Sequence, residues 1–214
     1  MIDINLDEIN FKKEIIVVDD GSNDKTSQIC KKYDGIKVLN QTNMGKGKAV
    51  QNGIKISKGE YILIQDADLE YDPVFYKDLL EPFNNSKKSI AVYGSRYLNE
   101  NKILIKKPFV GQNIFAFLFN YFLSFFFLIL YGRLISDLLT GYKVYEKAFF
   151  EKNTIYSKGF ETDHEITVKL LRNKTKIIEI PIKYYPRSKK EGKKISFKDA
   201  IKALLIILKY RISN

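Results

Sequence analysis

Between Glu14 and Arg96 the chain alternates two periods. "EIIVVDD" (14–20), "IKVLN" (36–40), "EYILIQDAD" (60–68) and "SIAVYGSR" (89–96) are short apolar, mostly β-branched runs, as expected of strands covered on both faces. Between them, "DKTSQICKKY" (24–33), "GKAVQNGIKIS" (47–57) and "PVFYKDLLEPF" (73–83) have helical spacing. Ser22 or Asn23 can cap the first of these helices, and a proline opens the third. Strand and helix alternating at this interval predict an α/β domain, a mainly parallel sheet flanked by helices. In such sheets ligands bind beyond the carboxyl ends of the strands. Asp19 and Asp20 stand at one such end, Asp66 and Asp68 at another.

The stretch "YILIQDADLEYDP" (61–73) places Asp66, Asp68, Glu70 and Asp72 at alternate positions, where like charges repel. Either the strand end is fully solvated or something positive sits there. Carboxylates two apart at a strand end point the same way, and paired hard oxygen ligands suit Mg²⁺ or Mn²⁺ sharing its shell with substrate phosphates. "DAD" alone fits a polar loop equally well. Asp72, just before Pro73, can simply start the next helix.

At 214 residues the default is one domain with room for a core. The single cysteine, Cys30, excludes an internal disulfide and fits a reducing cytosol; the single histidine, His164, excludes a multi-histidine metal site. The first ten residues carry acids and no apolar run, unlike a signal peptide. The net charge of +11 is uneven, with ten Lys/Arg against two acids from Lys183 to Asn214. A basic tail suits nucleic acid, anionic lipid or an acidic substrate, or is a solvated lysine-rich surface. Nucleic acid is the weak choice, because no recognised module interleaves this charge with base-stacking aromatics.

Residues 109–135, "FVGQNIFAFLFNYFLSFFFLILYGRLI", are the most hydrophobic segment, interrupted between Ile114 and Leu130 only by Asn120 and Ser124. Three readings compete: a buried core helix, a membrane-spanning helix, and helices lying in the membrane interface. Further on come "TGYKVY" (140–145), a helix from about Glu161 to Arg172, a strand "TKIIEIPIKY" (175–184) and a basic loop (185–194). A last helix, 197–211, has one apolar face and lysines elsewhere; it can pack on the core or rest on lipid.

"VVDDGSNDKTSQI" (17–29), "NMGKGKAV" (43–50), "QDADLEYDP" (65–73), "YGSR" (93–96), "GFETDHEIT" (159–167) and "YYPRSKKEGKKIS" (184–196) occur in that order. With this conjunction the chain resembles, from about Glu14 onward, a family 2 glycosyltransferase of the A-type nucleotide-sugar fold. Within that family it is similar to the dolichol-phosphate mannosyltransferase-like branch and its bacterial polyprenyl-phosphate relatives. The resemblance implies that Asp19, Asp20 and Ser22 contact the nucleotide, with Asp24 and Thr26 capping the next helix. It implies that Asn43, Gly45, Lys46 and Gly47 shape a turn beside the nucleotide. Asp66 and Asp68 are then the D-x-D pair on Mg²⁺ or Mn²⁺ and the diphosphate, with Glu70 as third ligand. Arg96, Arg187, Lys193 and Lys194 would face donor or acceptor phosphates. In many members an acid at the "FETDHEIT" position is the general base for a sugar hydroxyl. Asp163 is the first choice for that position, Glu165 the second, while Glu161 serves the helix N-terminus.

The implied reaction is inverting transfer of a hexose, mannose or glucose, from a nucleotide diphosphate sugar of GDP-mannose or UDP-glucose type to a polyprenyl phosphate. A phosphate acceptor is already ionised and needs no base. Residues 1–100 would hold the donor. Residues 101–214 would meet the acceptor and the cytoplasmic face of a membrane, peripherally or shallowly inserted, alone or with a membrane-protein partner subunit. The rival enzyme reading is transfer to a cell-surface polysaccharide, with Asp163 as a true base. The rival from another class is a catalytically impaired fragment or partner subunit.

One departure from the pattern stands at the start. Family members open with a strand ending in a motif like P-x-Y-N-E and then a helix, whereas "MIDINLDEINFKKE" runs directly into what would be the second strand. In the family that first strand lies inside the sheet, so its absence predicts two open strand edges. On this expectation the chain is a truncated form that binds nucleotide sugar poorly and aggregates readily.

Overall fold

The computed structural model describes residues 12–101, 104, 114–186 and 197–212. The chain divides into two compact units, each assembled from separated segments.

One unit comprises Asn10–Ile62, Glu146–Lys169 and Ser196–Asn214. Its sheet is a parallel pair, β1 (Ile15–Asp19) and β2 (Ile36–Asn40), in register Ile15↔Ile36 through Asp19↔Asn40. The crossover between them carries α1 (Thr26–Cys30), shorter than the helical spacing predicts. The N-cap position of α1 is Lys25, not Ser22 or Asn23, and carries no side-chain capping bond; Asp24 accepts the N–H of Thr26 at 2.9 Å in the turn leading into the helix. After β2 comes α2 (Lys46–Ile56). The other helices are α5 (Lys147–Lys152), the start of α6 (Thr162–Arg172), and α7 (Phe197–Ile212). Among the described residues β1 has β2 as its only strand partner.

The other unit comprises Leu63–Tyr145 and Leu170–Ile195. Its sheet has the order β3-β5-β4-β6: β3 (Tyr61–Ile64), β5 (Lys143–Glu146), β4 (Ile90–Ser95) and β6 (Lys176–Pro181). β4 and β6 are parallel, as predicted, but β5 runs antiparallel to β4, so this sheet is mixed. β4 lies between two neighbours and is buried along its whole length, which explains why its sequence does not alternate. Leu79 and Phe83 of α3 (Tyr76–Asn84) pack with Ile90, Val92, Tyr142, Val144 and Ile182 in the core. Each such side chain contributes about 1.5–3 kcal/mol by leaving water.

α4 (Ile114–Tyr131) divides by face. Phe117, Asn120, Leu123, Ser124 and Phe127, at helical spacing, are buried. Phe115, Leu118, Phe122, Phe125 and Ile129 are half or more exposed. Asn120 explains the polar interruption: its Nδ2 donates to Ser136 O at 2.7 Å and its Oδ1 accepts from Leu138 N at 3.1 Å, so the buried face is tied to the following turn. Ser124 donates to Asn120 O. By length and composition α4 could cross a membrane, with 28% of it buried within the protein.

Candidate functional site

In the β1–β2 unit, the motif acids follow β1. Asp19 is buried and accepts from Ser22 N at 2.8 Å; the Ser22 hydroxyl and N–H hold its carboxyl below the ordinary aspartate value. Asp20 is spent on its own chain. Its Oδ1 accepts from Gln41 Nε2 (2.7 Å) and Met44 N (2.8 Å), and its Oδ2 accepts from Gly45 N (2.9 Å). The carboxylate therefore shapes the turn into α2.

That turn explains the glycines of "NMGKGKAV". Gly45 has φ of +93°, and a Cβ there would meet Lys158 O at 2.6 Å. A Cβ on Gly47 would come within 1.9 Å of Thr162 Oγ1. Only glycine lets the start of α2 lie against residues 158–162, where Lys48 N also donates to Lys158 O. The consequence is a meeting of two residues distant in sequence: Lys46 Nζ lies 3.8 Å from Asp163 Oδ2, each side chain about one-fifth exposed. Lys46 also stands 5.7 Å from the Phe160 ring centroid. Two helix N-termini, those of α2 and α6, carry this pair.

Glu165 occupies a different setting. Its side chain is fully buried and accepts from Tyr156 N, from Ser157 N at 2.7 Å and from Tyr210 Oη at 2.6 Å, with Lys169 Nζ at 2.7 Å. Burial alone would raise its pKa, but the bonds from Lys169, Ser157 and Tyr210 prevail and hold it at about 2. Lys169 lies over the rings of Tyr156 and Tyr210, at 4.8 and 4.9 Å. This geometry is a structural knot, and it offers no face to an acceptor. Glu161 accepts from Gly159 N at 3.1 Å, in the turn before α6, and not from an N–H of the helix itself.

In the β3–β6 unit, the D-x-D acids stand just past the strand. β3 ends at Ile64, so Asp66 and Asp68 sit in the turn after it, and their alignment is set by that turn and not by strand alternation. Leu69 has φ of +62°, and Asp68 Oδ1 accepts from Glu70 N at 3.2 Å. Asp66 Oδ2 lies so near Gly141 that a Cβ there would be 3.0 Å away. Asp66 and Asp68 are partly open to solvent, whereas Glu70 is buried. Burial, then the hydrogen bond with Glu70, pushes the Tyr184 hydroxyl far above its ordinary pKa. Asp72 accepts from Val74 N at 3.0 Å and caps the turn at Pro73, as expected.

Arg96 does not present an open guanidinium. Its Nε donates to Asp137 Oδ2 at 2.7 Å and its Nη2 to Asp137 Oδ1 at 2.8 Å. It also stacks 4.8 Å from the Tyr184 ring centroid. Burial would lower its pKa, but Asp137 reverses this and raises it well above the ordinary value. Asp137 is fully buried, and its turn is held by Glu179, which accepts from Ser136 N and Oγ and from Asp137 N. Burial raises Glu179's pKa. Asp137 and Glu179 were not singled out in the sequence; a lone acid in "RLISDLLTGY" was the available signal. Arg187, Lys193 and Lys194 lie outside the described residues.

Among the described residues no three His, Cys, Asp or Glu side chains converge to hold a metal. The donor set that fits a hard divalent cation is the pair Asp66 and Asp68: carboxylate oxygens, partly solvated, leaving positions for a diphosphate. Glu70, turned to Tyr184, does not extend it.

Residues 5–152 match the glycosyl transferase family 2 domain, and the chain belongs to that family. It is 30% identical over 218 residues to a dolichyl-phosphate β-glucosyltransferase, ALG5D, of Trichomonas vaginalis, covering 95% of this chain and 63% of that protein. It is 28% identical over 208 residues to the dolichyl-phosphate β-glucosyltransferase of Saccharomyces cerevisiae, covering 84% of this chain and 61% of that protein. The chain thus spans less than two thirds of either relative. A crystal structure of glucosyl-3-phosphoglycerate synthase from Mycobacterium tuberculosis, in complex with Mn²⁺, uridine diphosphate and phosphoglyceric acid, superposes with a TM-score of 0.70 at 15% identity. It covers 94% of this chain and 69% of that one. This establishes the A-type glycosyltransferase fold for the chain.

Proposed function

We propose that the protein transfers a hexose from a nucleotide diphosphate sugar to a polyprenyl phosphate, with inversion at the anomeric carbon. The observation that carries the acceptor class is the Lys46–Asp163 pair. An acid that works as general base must be aimed at an acceptor hydroxyl. Asp163 instead faces an ammonium group, an arrangement suited to orienting a cation toward phosphate. A phosphate acceptor needs no base, and the pair is compatible with one. Likeness to two dolichyl-phosphate β-glucosyltransferases supports the same reading.

In this reaction an acceptor phosphate oxygen attacks the anomeric carbon as the bond to the nucleotide diphosphate breaks. Asp66 and Asp68 would hold Mg²⁺ or Mn²⁺, which supplies charge neutralisation for the leaving diphosphate. Asp19 and Ser22 would meet the nucleoside, and Lys46 a phosphate. Arg187, Lys193 and Lys194 remain proposed phosphate ligands on sequence grounds. Arg96, Glu165 and Glu70 would position neighbouring groups.

We place the enzyme on the cytoplasmic face of a membrane, with α4 lying in the plane of the interface. A helix with one face packed on protein and the other presenting Phe115, Phe122, Phe125 and Ile129 suits shallow insertion. The test is a donor screen: the purified chain, labelled nucleotide sugars and polyprenyl phosphate, with and without divalent cation. The proposal expects cation-dependent formation of a labelled glycolipid. Label transferred only to a hydroxyl acceptor would refute it.

A further inference from the structure

The outer face of α7 carries chemistry that sugar transfer does not use. Ile201, Leu205, Leu208 and Ile212 are 44%, 60%, 37% and 80% exposed. Their spacing of four, three and four residues gathers them into a stripe about 60° wide on a helix turning about 100° per residue. Lys202 and Lys209 flank the stripe on one side and Arg211 on the other, all three exposed. The opposite face is packed: Ala203 and Ile207 are buried, and Tyr210, roughly half a turn from the stripe, donates to the buried Glu165. α7 therefore cannot roll to hide the stripe without breaking that bond. A wholly protein-packed helix would have no reason for four large exposed apolar residues in register, and a simple solvated one would not lack polar residues there.

We propose that α7 rests on an anionic lipid surface, with the 201/205/208/212 stripe entering the headgroup boundary and Lys202, Lys209 and Arg211 meeting lipid phosphates. Charge selects this occupant: the helix carries four Lys/Arg against one aspartate, so a second copy of the same face would repel it. The proposal deepens the membrane placement above by naming the lipid chemistry and the helix that reads it. Glu165 also fixes Tyr156 and Ser157, so the lipid-facing helix is anchored to the segment that leads into Asp163. α7 is thus a membrane contact tied by a side-chain hydrogen bond to the start of α6.

The test uses the full chain and sedimentation with vesicles that contain neither acceptor lipid nor donor, so its outcome is independent of catalysis. α4 supplies binding to neutral vesicles; α7 supplies the preference for anionic ones. The parent should bind phosphatidylglycerol-containing vesicles at least about tenfold more tightly than phosphatidylcholine vesicles at low salt, a preference that falls as salt rises. Lys202→Glu with Lys209→Glu should cut that preference severalfold and leave the binding to neutral vesicles unchanged. Leu205→Gln with Ile212→Gln should weaken anionic binding that persists at high salt. Circular dichroism of each variant confirms that it is folded. A parent that binds both vesicles equally overturns the proposal, as does a folded charge-reversal variant that keeps the preference. Self-association abolished by Leu205→Gln, without vesicle binding, assigns the stripe to a second copy and also overturns it.

Discussion

Arg96–Asp137 and Lys46–Asp163 are both cation–carboxylate pairs built from residues far apart in sequence, but they occupy opposite environments. The first is buried, bidentate and enclosed by Tyr184 and Glu179. The second is a single 3.8 Å approach, part open to water. A fully desolvated pair is costly to break and has no coordination left for a ligand, whereas a loose, partly solvated pair can exchange its partner for a phosphate. Burial and geometry therefore separate the architectural charges from those available for chemistry.

The largest effect falls on the buried pair. Asp137→Ala leaves a guanidinium buried without its carboxylate and should cost about 3–5 kcal/mol of stability, measured by urea denaturation. Arg96→Met combined with Asp137→Leu should recover much of that loss. A destabilisation under 1 kcal/mol for Asp137→Ala would mean that the pair is solvated, and would erase the contrast with Lys46–Asp163.

Next in size are Asp66→Asn and Asp68→Asn. Each should lower transfer by at least about a hundredfold, equivalent to about 2.7 kcal/mol, without moving the unfolding midpoint. Transfer at the parent rate by purified Asp68→Asn would remove the metal from the account.

Glu165 gives the pH signature. Its pKa is depressed from 4.5 to about 2 on folding, so the folded state binds its proton less readily than the unfolded state does. Its stabilising contribution is therefore complete above about pH 4.5 and is lost as pH falls toward 2. The contribution is about 3 kcal/mol. Glu165→Gln should be less stable at pH 7 by roughly that amount, and should show a shallower decline between pH 4.5 and 2. An unchanged slope would assign the acid sensitivity elsewhere.

Much of the architecture is legible in the sequence, because period and turn chemistry are local. The bounds of β2 are those predicted, and β1, α2, α6 and α7 fall within one or two residues of the expected segments. Asp72 caps where its neighbour Pro73 indicates, whereas the N-cap of α1 falls on Lys25 and not on Ser22 or Asn23. Non-local geometry is not written that way. Nothing in "TGYKVY" announces a strand that would pair antiparallel with β4, since orientation follows from the path of α4 and the turn held by Glu179. Arg96 in "GSR" reads as a phosphate ligand until Asp137, 41 residues on, is found to occupy its fork. Glu165 and Asp163 are indistinguishable as letters two apart; on α6 that spacing puts them on different faces, one toward Tyr210 and one toward Lys46. The glycines of "NMGKGKAV" look like a nucleotide loop, and the structure gives them the separate task of admitting residues 158–162.

The most direct measurement is the transfer rate of Asp163→Asn to polyprenyl phosphate, set beside Asp66→Asn in the same assay. If the acceptor is a phosphate and Asp163 only orients Lys46, Asp163→Asn should keep about a tenth or more of the parent rate, a loss of about 1.4 kcal/mol, with an unchanged pH profile. A fall to the level of Asp66→Asn, with transfer found on a hydroxyl acceptor, would make Asp163 a true base and contradict the account.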